Sequence, residues 1–182
     1  MLALLASFAA IQAQPAPPRF DPNAPENRQV LPAFSYETVE PVLTQIGARF
    51  ERQISGDRPA LTVAFANGRR AAILFGACQN AACKAISIQA VWNRPADLPP
   101  ERLGAGLHAF NQRYAFARAF VTTDGRPTLQ RYLTADYGFI RGNLAVNLLV
   151  FAGQVDRFVT EVLRAPAPAA PPAAPAPAAP AR

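Results

Sequence analysis

Between Phe34 and Leu163 the spacing of apolar residues passes from helical to alternating and back again, twice over. From Ser35, a suitable N-cap, "YETVEPVLTQIGARFERQI" sets Val39, Val42, Leu43, Ile46, Phe50 and Ile54 on one helical stripe, with Pro41 in its first turns. The period then falls to two. Leu61, Val63 and Phe65 alternate, "NGRR" supplies a turn, and Ala71–Phe75 is apolar on both faces like a central strand. In "KAISIQAVW", Ile86, Ile88, Ala90 and Trp92 point inward and Ser87 and Gln89 outward. A second helix follows in "DLPPERLGAGLHAFNQRY", then two strands joined at Asp124-Gly125, a strong tight-turn signal. The last helix is "GNLAVNLLVFAGQVDRFVTEVL", with Leu144, Leu148, Phe151, Val155, Phe158, Val159 and Val162 along one side. The order predicts an α+β domain, α-β-β-β-α-β-β-α, with a five-stranded antiparallel sheet and helices packed against it.

Proline-rich stretches frame this region. Residues 1–13 are apolar at first and end in "IQA", which reads as a secretory signal peptide, although no basic residue precedes the apolar run. Residues 14–34 read as a Pro-rich leader, 35–164 as the folded domain, and 165–182 as a disordered Pro/Ala tail in polyproline II form. About 130 residues remain for the core, enough to fold without metals or many disulfides. A signal places the mature protein in the bacterial periplasm or outside the cell. No later segment has the ~20 apolar residues of a stable membrane span.

The net charge is +6, and all but one of the 18 basic residues are arginine, Lys84 being the exception. The excess is scattered, with Arg69-Arg70 the only adjacent basic pair, so no nucleic-acid footprint is expected. No cofactor motif occurs either: "NGRRAA" lacks the glycine spacing and the Gly-Lys-Ser/Thr ending of a phosphate loop.

The two cysteines, Cys78 and Cys83, bracket the turn between two strands in "GACQNAACK". Facing positions of a hairpin can be bridged, and an exported protein meets an oxidising environment. A structural disulfide is the expectation; free core thiols and a redox pair are the alternatives. The spacing is not that of a helix-borne Cys-x-x-Cys, and a structural zinc needs about four ligands, more than two Cys and His108 supply. His108, the only histidine, stands mid-helix among apolar neighbours and reads as a partly buried structural residue. Glu37 and Glu40 are first-turn acids of the kind a helix dipole favours. No catalytic set is assembled and no metal site is expected.

One pair invites a ligand. With Asp124-Gly125 as a two-residue turn, Thr123 pairs with Arg126, Phe120 faces Leu129, Arg118 faces Arg131, and Phe116 faces Leu133. Two opposed arginines repel, and beside aromatic rings they favour an intervening anion. Alternatively, their stems lie along the sheet and their heads reach water. A slip of one residue is expected to move both to the other face together. The run "LAVNLLVFAG" (Leu144–Gly153) is apolar nearly all round except at Asn147, so that helix is either central or shared between subunits.

These residues also carry a resemblance. "FNQRYAFARAFVTTDG" (Phe110–Gly125), with Asn111, Tyr114, Leu129, Leu133, Asn143-Leu144, Phe151, Asp156 and Phe158, resembles the YbjN family, described as bacterial sensory transduction regulators. The resemblance spans about residues 36–163. It implies the element order of type III secretion chaperones, whose class I members dimerise and bind extended peptide segments. On that basis the chain is expected to be a non-catalytic exported regulatory domain, homodimeric, holding a protein or peptide partner. The alternative is a small-anion sensor using Arg118 and Arg131. The resemblance carries no catalytic residues with it.

Overall fold

The structure, a computed structural model, describes residues 20–164. The expected signal peptide and Pro/Ala tail lie outside the described residues, apart from the start of the leader.

Helix α1 spans Tyr36–Gln45. The Ser35 backbone N–H donates to Thr38 Oγ1 at 2.8 Å, fixing its first turn. Its end is equally defined. Gly47 adopts φ 71°, and the N–H groups of Gly47 and Ala48 donate back to Thr44 and Leu43 carbonyls at 3.0 and 2.9 Å. This paired closure is the Schellman arrangement that glycine permits. The helix therefore stops where the sequence pattern carries on, and residues Arg49–Ser55 form a strand, β2. Phe50 and Ile54 satisfy helical spacing and strand alternation equally, so periodicity could not separate the two. Ile54, expected on the buried stripe, is 79% exposed.

The sheet consequently has six strands rather than five. They are β2, β3 (Arg58–Ala64), β4 (Arg70–Gln79), β5 (Ala82–Val91), β6 (Arg118–Val121) and β7 (Pro127–Thr134). All neighbours are antiparallel, in the spatial order β2-β3-β4-β5-β7-β6. A small second sheet pairs β1 (Val30–Leu31) with β8 (Phe139–Ile140). Helix α2 spans Pro100–Arg113, and α3, Arg141–Phe158, runs into a final π-helical turn, Val159–Leu163.

One core joins these elements. Leu61, Val63, Ile73, Phe75, Ile86, Ile88 and Leu129 face Val39, Val42, Leu107, Phe110, Leu144, Leu148, Phe151 and Phe158, all of them buried. Trp92 stacks on Phe158 with ring centroids 4.8 Å apart. Thus Ile86, Ile88 and Ala90 point inward as expected, and α3 is central along that side. The opposite sheet face carries more small and polar residues, with Leu74, Phe120 and Tyr132 among them. One cross-strand row runs Glu51, Thr62, Ala72, Gln89, Gln130, Arg118, none of them buried.

The Asp124-Gly125 turn differs from expectation by one residue. Thr122 N–H donates to Arg126 O at 3.0 Å and Gly125 N–H to Thr122 O at 2.9 Å, with Gly125 at φ 80°. That is a three-residue loop with a left-handed glycine, not a two-residue one. The same loop recurs at Ala66–Gly68: Phe65 N–H donates to Arg69 O at 2.8 Å, and Gly68 has φ 78°. Here Asn67 and Arg69 both bond Asp156, tying the β3–β4 loop to α3.

Candidate functional site

The three-residue loop sets the β6–β7 register as Arg118↔Gln130, Ala119↔Leu129, Phe120↔Thr128 and Val121↔Pro127. The expected opposition of Arg118 to Arg131 is therefore incorrect, because the extra loop residue moves β6 along by one. The slip also separates the pair instead of carrying both across. Arg131 pairs with buried Ile88 and so lies on the helix-covered face, whereas Arg118 shares the open face with Gln130.

Arg131 is half-buried. Its Nη1 donates to the Phe116 carbonyl at 2.5 Å and its Nε to Asn147 Oδ1 at 3.2 Å. Its guanidinium sits 4.2 Å over the Phe116 ring, a cation–π contact. Asn147, which interrupts the apolar run of α3, is thus the α3 acceptor for this guanidinium. Exposed Arg118 lies 5.7 Å over the Phe120 ring. Neither arginine is ion-paired to a carboxylate among the described residues.

Although on opposite faces, the two arginines line one hollow at the sheet's edge. Asn111, Tyr114, Phe116, Arg118, Gln130, Arg131 and Tyr132 border it, and it encloses about 600 Å³. It exists because β6 is only four residues long and β7 eight, so the chain arriving from α2 leaves the end of β7 uncovered. At its rim the Tyr114 hydroxyl donates to Glu161 Oε1 at 2.7 Å, Arg113 donates to Glu161 Oε2 at 3.1 Å, and Arg157 donates to the Tyr114 oxygen at 3.1 Å. The hydrogen bond to Tyr114, followed by the charge of Glu161, raises the Arg113 pKa above its ordinary value.

Asn111 has a role that sequence reasoning did not supply. Its side-chain amide donates to Ala119 O and accepts from Ala119 N–H, each at 2.8 Å. It thereby occupies the outward-facing backbone groups of Ala119 on the edge strand β6. The residue was visible as a mark of resemblance; the partner, eight positions away on a strand, was not.

Cys78 and Cys83 occupy directly paired positions on β4 and β5 and form a disulfide, with Cα atoms 3.8 Å apart. Cys83 is buried and Cys78 exposed. Asn80 and Ala81, both at positive φ, make the two-residue turn between these strands. The Cys83 backbone also exchanges two 2.8 Å bonds with Phe34, bringing the leader's end onto β5.

His108 is exposed, not partly buried, because α2 buries only Leu103, Leu107 and Phe110. Glu37 is exposed; the Ser35 hydroxyl and then its own backbone N–H lower its carboxyl pKa. Glu40 instead forms a two-bond ion pair with Arg52, at 2.6 and 2.9 Å. Among the described residues no cluster of three or more His, Cys, Asp or Glu could hold a metal, and no helix is long and apolar enough to cross a membrane.

The class this arrangement defines is an α+β domain with three helices on one face of a six-stranded antiparallel sheet and a basic, aromatic hollow at one edge. Residues 35–164 match the model of the YbjN family, whose description is "Putative bacterial sensory transduction regulator". The chain belongs to the YbjN family. That description is of regulators rather than of an enzyme family. No curated protein matches the sequence.

Proposed function

We propose that this protein is a non-catalytic regulatory domain of the bacterial envelope that holds a protein or peptide partner at the hollow beside β7. The observation that carries the reading is the hollow itself: Arg118, Arg131, Phe116 and Tyr132 meet at a shortened edge strand, with neither guanidinium neutralised by an acid among the described residues. Cationic and aromatic groups of this kind are enriched where proteins bind one another. The disulfide and the signal-like N-terminus support an oxidising compartment.

Dimerisation through α3 belongs to the same proposal. Val146, Leu149 and Val150 form an outward stripe on that helix, 45%, 39% and 39% exposed. They are spaced by three and four residues, the pattern of a second packing face. Leu149→Asp is expected to convert a dimer to a monomer in sedimentation equilibrium; a parent protein already monomeric at high micromolar concentration refutes this part.

The partner is tested with a photo-crosslinking amino acid at position 132, at the hollow, and at exposed position 54, on β2 at the opposite edge of the sheet, in the exported protein. A discrete adduct formed only from position 132 is expected. Equal adducts from both positions, or none, refute the reading. A second reading is favoured by the convergence of both arginines on one hollow: a site for a small anion. If phosphate or a dicarboxylate raises the melting temperature of the parent but not of Arg118→Ala, that reading replaces the first.

A further inference from the structure

The register of β7 indicates how the hollow would hold its partner, an inference that rests on the partner-holding reading. Trp92 N–H donates to Pro127 O at 3.0 Å and Ala135 N–H to Lys84 O at 2.8 Å. In an antiparallel ladder hydrogen-bonded pairs alternate with non-bonded ones. Odd-numbered residues of β7 therefore turn their backbone groups to β5. The bond from Thr122 N–H to Arg126 O sets the even-numbered ones towards β6. Thr128 and Gln130 meet Phe120 and Arg118 there. Tyr132 and Thr134 come next, and among the described residues no strand lies opposite them, because β6 begins at Arg118. The same register would bring Phe116 opposite Tyr132 and Tyr114 opposite Thr134. The chain departs instead, and Phe116 O accepts from the Arg131 side chain. Both Tyr132 and Thr134 are exposed.

The other free edges of the sheet are guarded. On β6, the outward groups of Ala119 are occupied by Asn111. On β2, Arg52 is engaged by Glu40 and stacked 4.4 Å over Tyr36, and Glu51 adds an opposite charge beside it. Charged side chains of this sort discourage strand addition. Among the described residues the end of β7 has no such cap, and Arg118 and Arg131 stand beside it without an acidic partner, whereas the rim carboxylate of Glu161 is already bonded by Arg113 and Tyr114.

We propose that the free end of β7 takes an extended acidic segment of a partner protein as an added strand, collinear with β6. Its backbone pairs with the N–H and C=O groups of Tyr132 and Thr134, and its carboxylates meet Arg118 on one face and Arg131 on the other. Backbone pairing supplies affinity without strict sequence, and alternating side chains supply selectivity.

The probe is a fluorescein-labelled hexapeptide of alternating Glu and Val, followed by anisotropy. Comparators are the Lys/Val peptide and the Glu/Val peptide with its four central amides N-methylated. The Glu/Val peptide is expected to bind, with affinity falling as salt rises, and both comparators to bind at least about tenfold more weakly. Thr134→Pro removes one outward N–H without touching the β5 ladder, which is why proline is tolerated on edges. It should weaken the Glu/Val peptide about tenfold. Arg118→Ala, on an exposed side chain that makes no hydrogen bond among the described residues, should weaken it several-fold and flatten the salt dependence. Equal binding of the N-methylated or Lys/Val peptide, no binding of the Glu/Val peptide, or indifference to Thr134→Pro overturns the proposal. Thr134→Pro is also introduced beside the photo-crosslinker at position 132. An adduct that survives there means that a partner is held but not by strand addition; no adduct even from the parent sequence means that the partner reading itself fails.

Discussion

Replacing Asn111 by Ala deletes the cap on β6 while leaving its strand sequence untouched. Two hydrogen bonds are lost, both 2.8 Å and both to Ala119, a residue only 3% exposed. A net ~1 kcal/mol for each gives about 2 kcal/mol. Water reaches an edge strand only in part, so leaving the Ala119 groups unsatisfied brings the total to roughly 2–3 kcal/mol. For a domain of this length that corresponds to a fall of about 4–12 °C in melting temperature. Urea titration should show a lower midpoint at constant m-value, together with faster amide exchange at Ala119. Asn111→Asp sharpens the test. The carboxylate still accepts from Ala119 N–H but stands against the Ala119 carbonyl, so it should be at least as damaging at pH 7 and partly recover once protonated, below about pH 4. A change under about 0.5 kcal/mol in Asn111→Ala would mean that solvent satisfies Ala119 as well as the amide does, and the capping argument would be wrong.

Three further outcomes follow from the geometry. A Cβ at Gly142 would lie 2.9 Å from both the Cβ and the carbonyl oxygen of Asn27, so Gly142→Ala should cost about 1–3 kcal/mol in urea unfolding; an unchanged midpoint would show that the Pro25–Arg28 turn moves aside freely. Cys78→Ser with Cys83→Ser, or reduction of the parent, opens a short loop and should cost about 2 kcal/mol, read as a lower melting temperature; an identical melt with and without reductant contradicts it. The Thr122 hydroxyl, and then Arg126, hold the Asp124 carboxyl below its usual pKa. Its contribution is therefore present above the unfolded value of about 3.9 and lost as pH falls through the lower folded value. Asp124→Asn should melt below the parent at pH 7, by a gap that narrows as pH falls below the unfolded value, whereas a gap constant across that range would refute this.

The comparison of sequence with structure turns on where local information ended. The apolar patterns of β3, β4 and β5, the inward set of Ile86, Ile88 and Ala90, and the buried side of α3 were legible, because each is a local alternation with one period and one buried face. Cys78 and Cys83 were legible as a facing pair for the same reason: the turn between them is short. The family was legible too, in residues such as Asn111 and Asp156 whose tasks were not. His108 failed on the face that α2 presents; the failures of topology and register lay at two glycines. Gly47 ends α1 by entering the left-handed region, and the residues beyond it become β2, although Phe50 and Ile54 fit either period. Gly125 does the same within a three-residue loop, and that single added residue separates Arg118 from Arg131 across the sheet.

By itself, then, the sequence determined the class of domain and most of its core, and set the two cysteines across one short turn, since burial periodicity and short loops are written locally. Only the tertiary structure decided the register of β6 on β7, the sixth strand, the capping of Ala119 by Asn111, and the hollow that Arg118 and Arg131 share. Each depends on a glycine's backbone choice or on groups brought together from separate elements, and the free energy that selects among such arrangements is summed over the whole core rather than encoded at any one position.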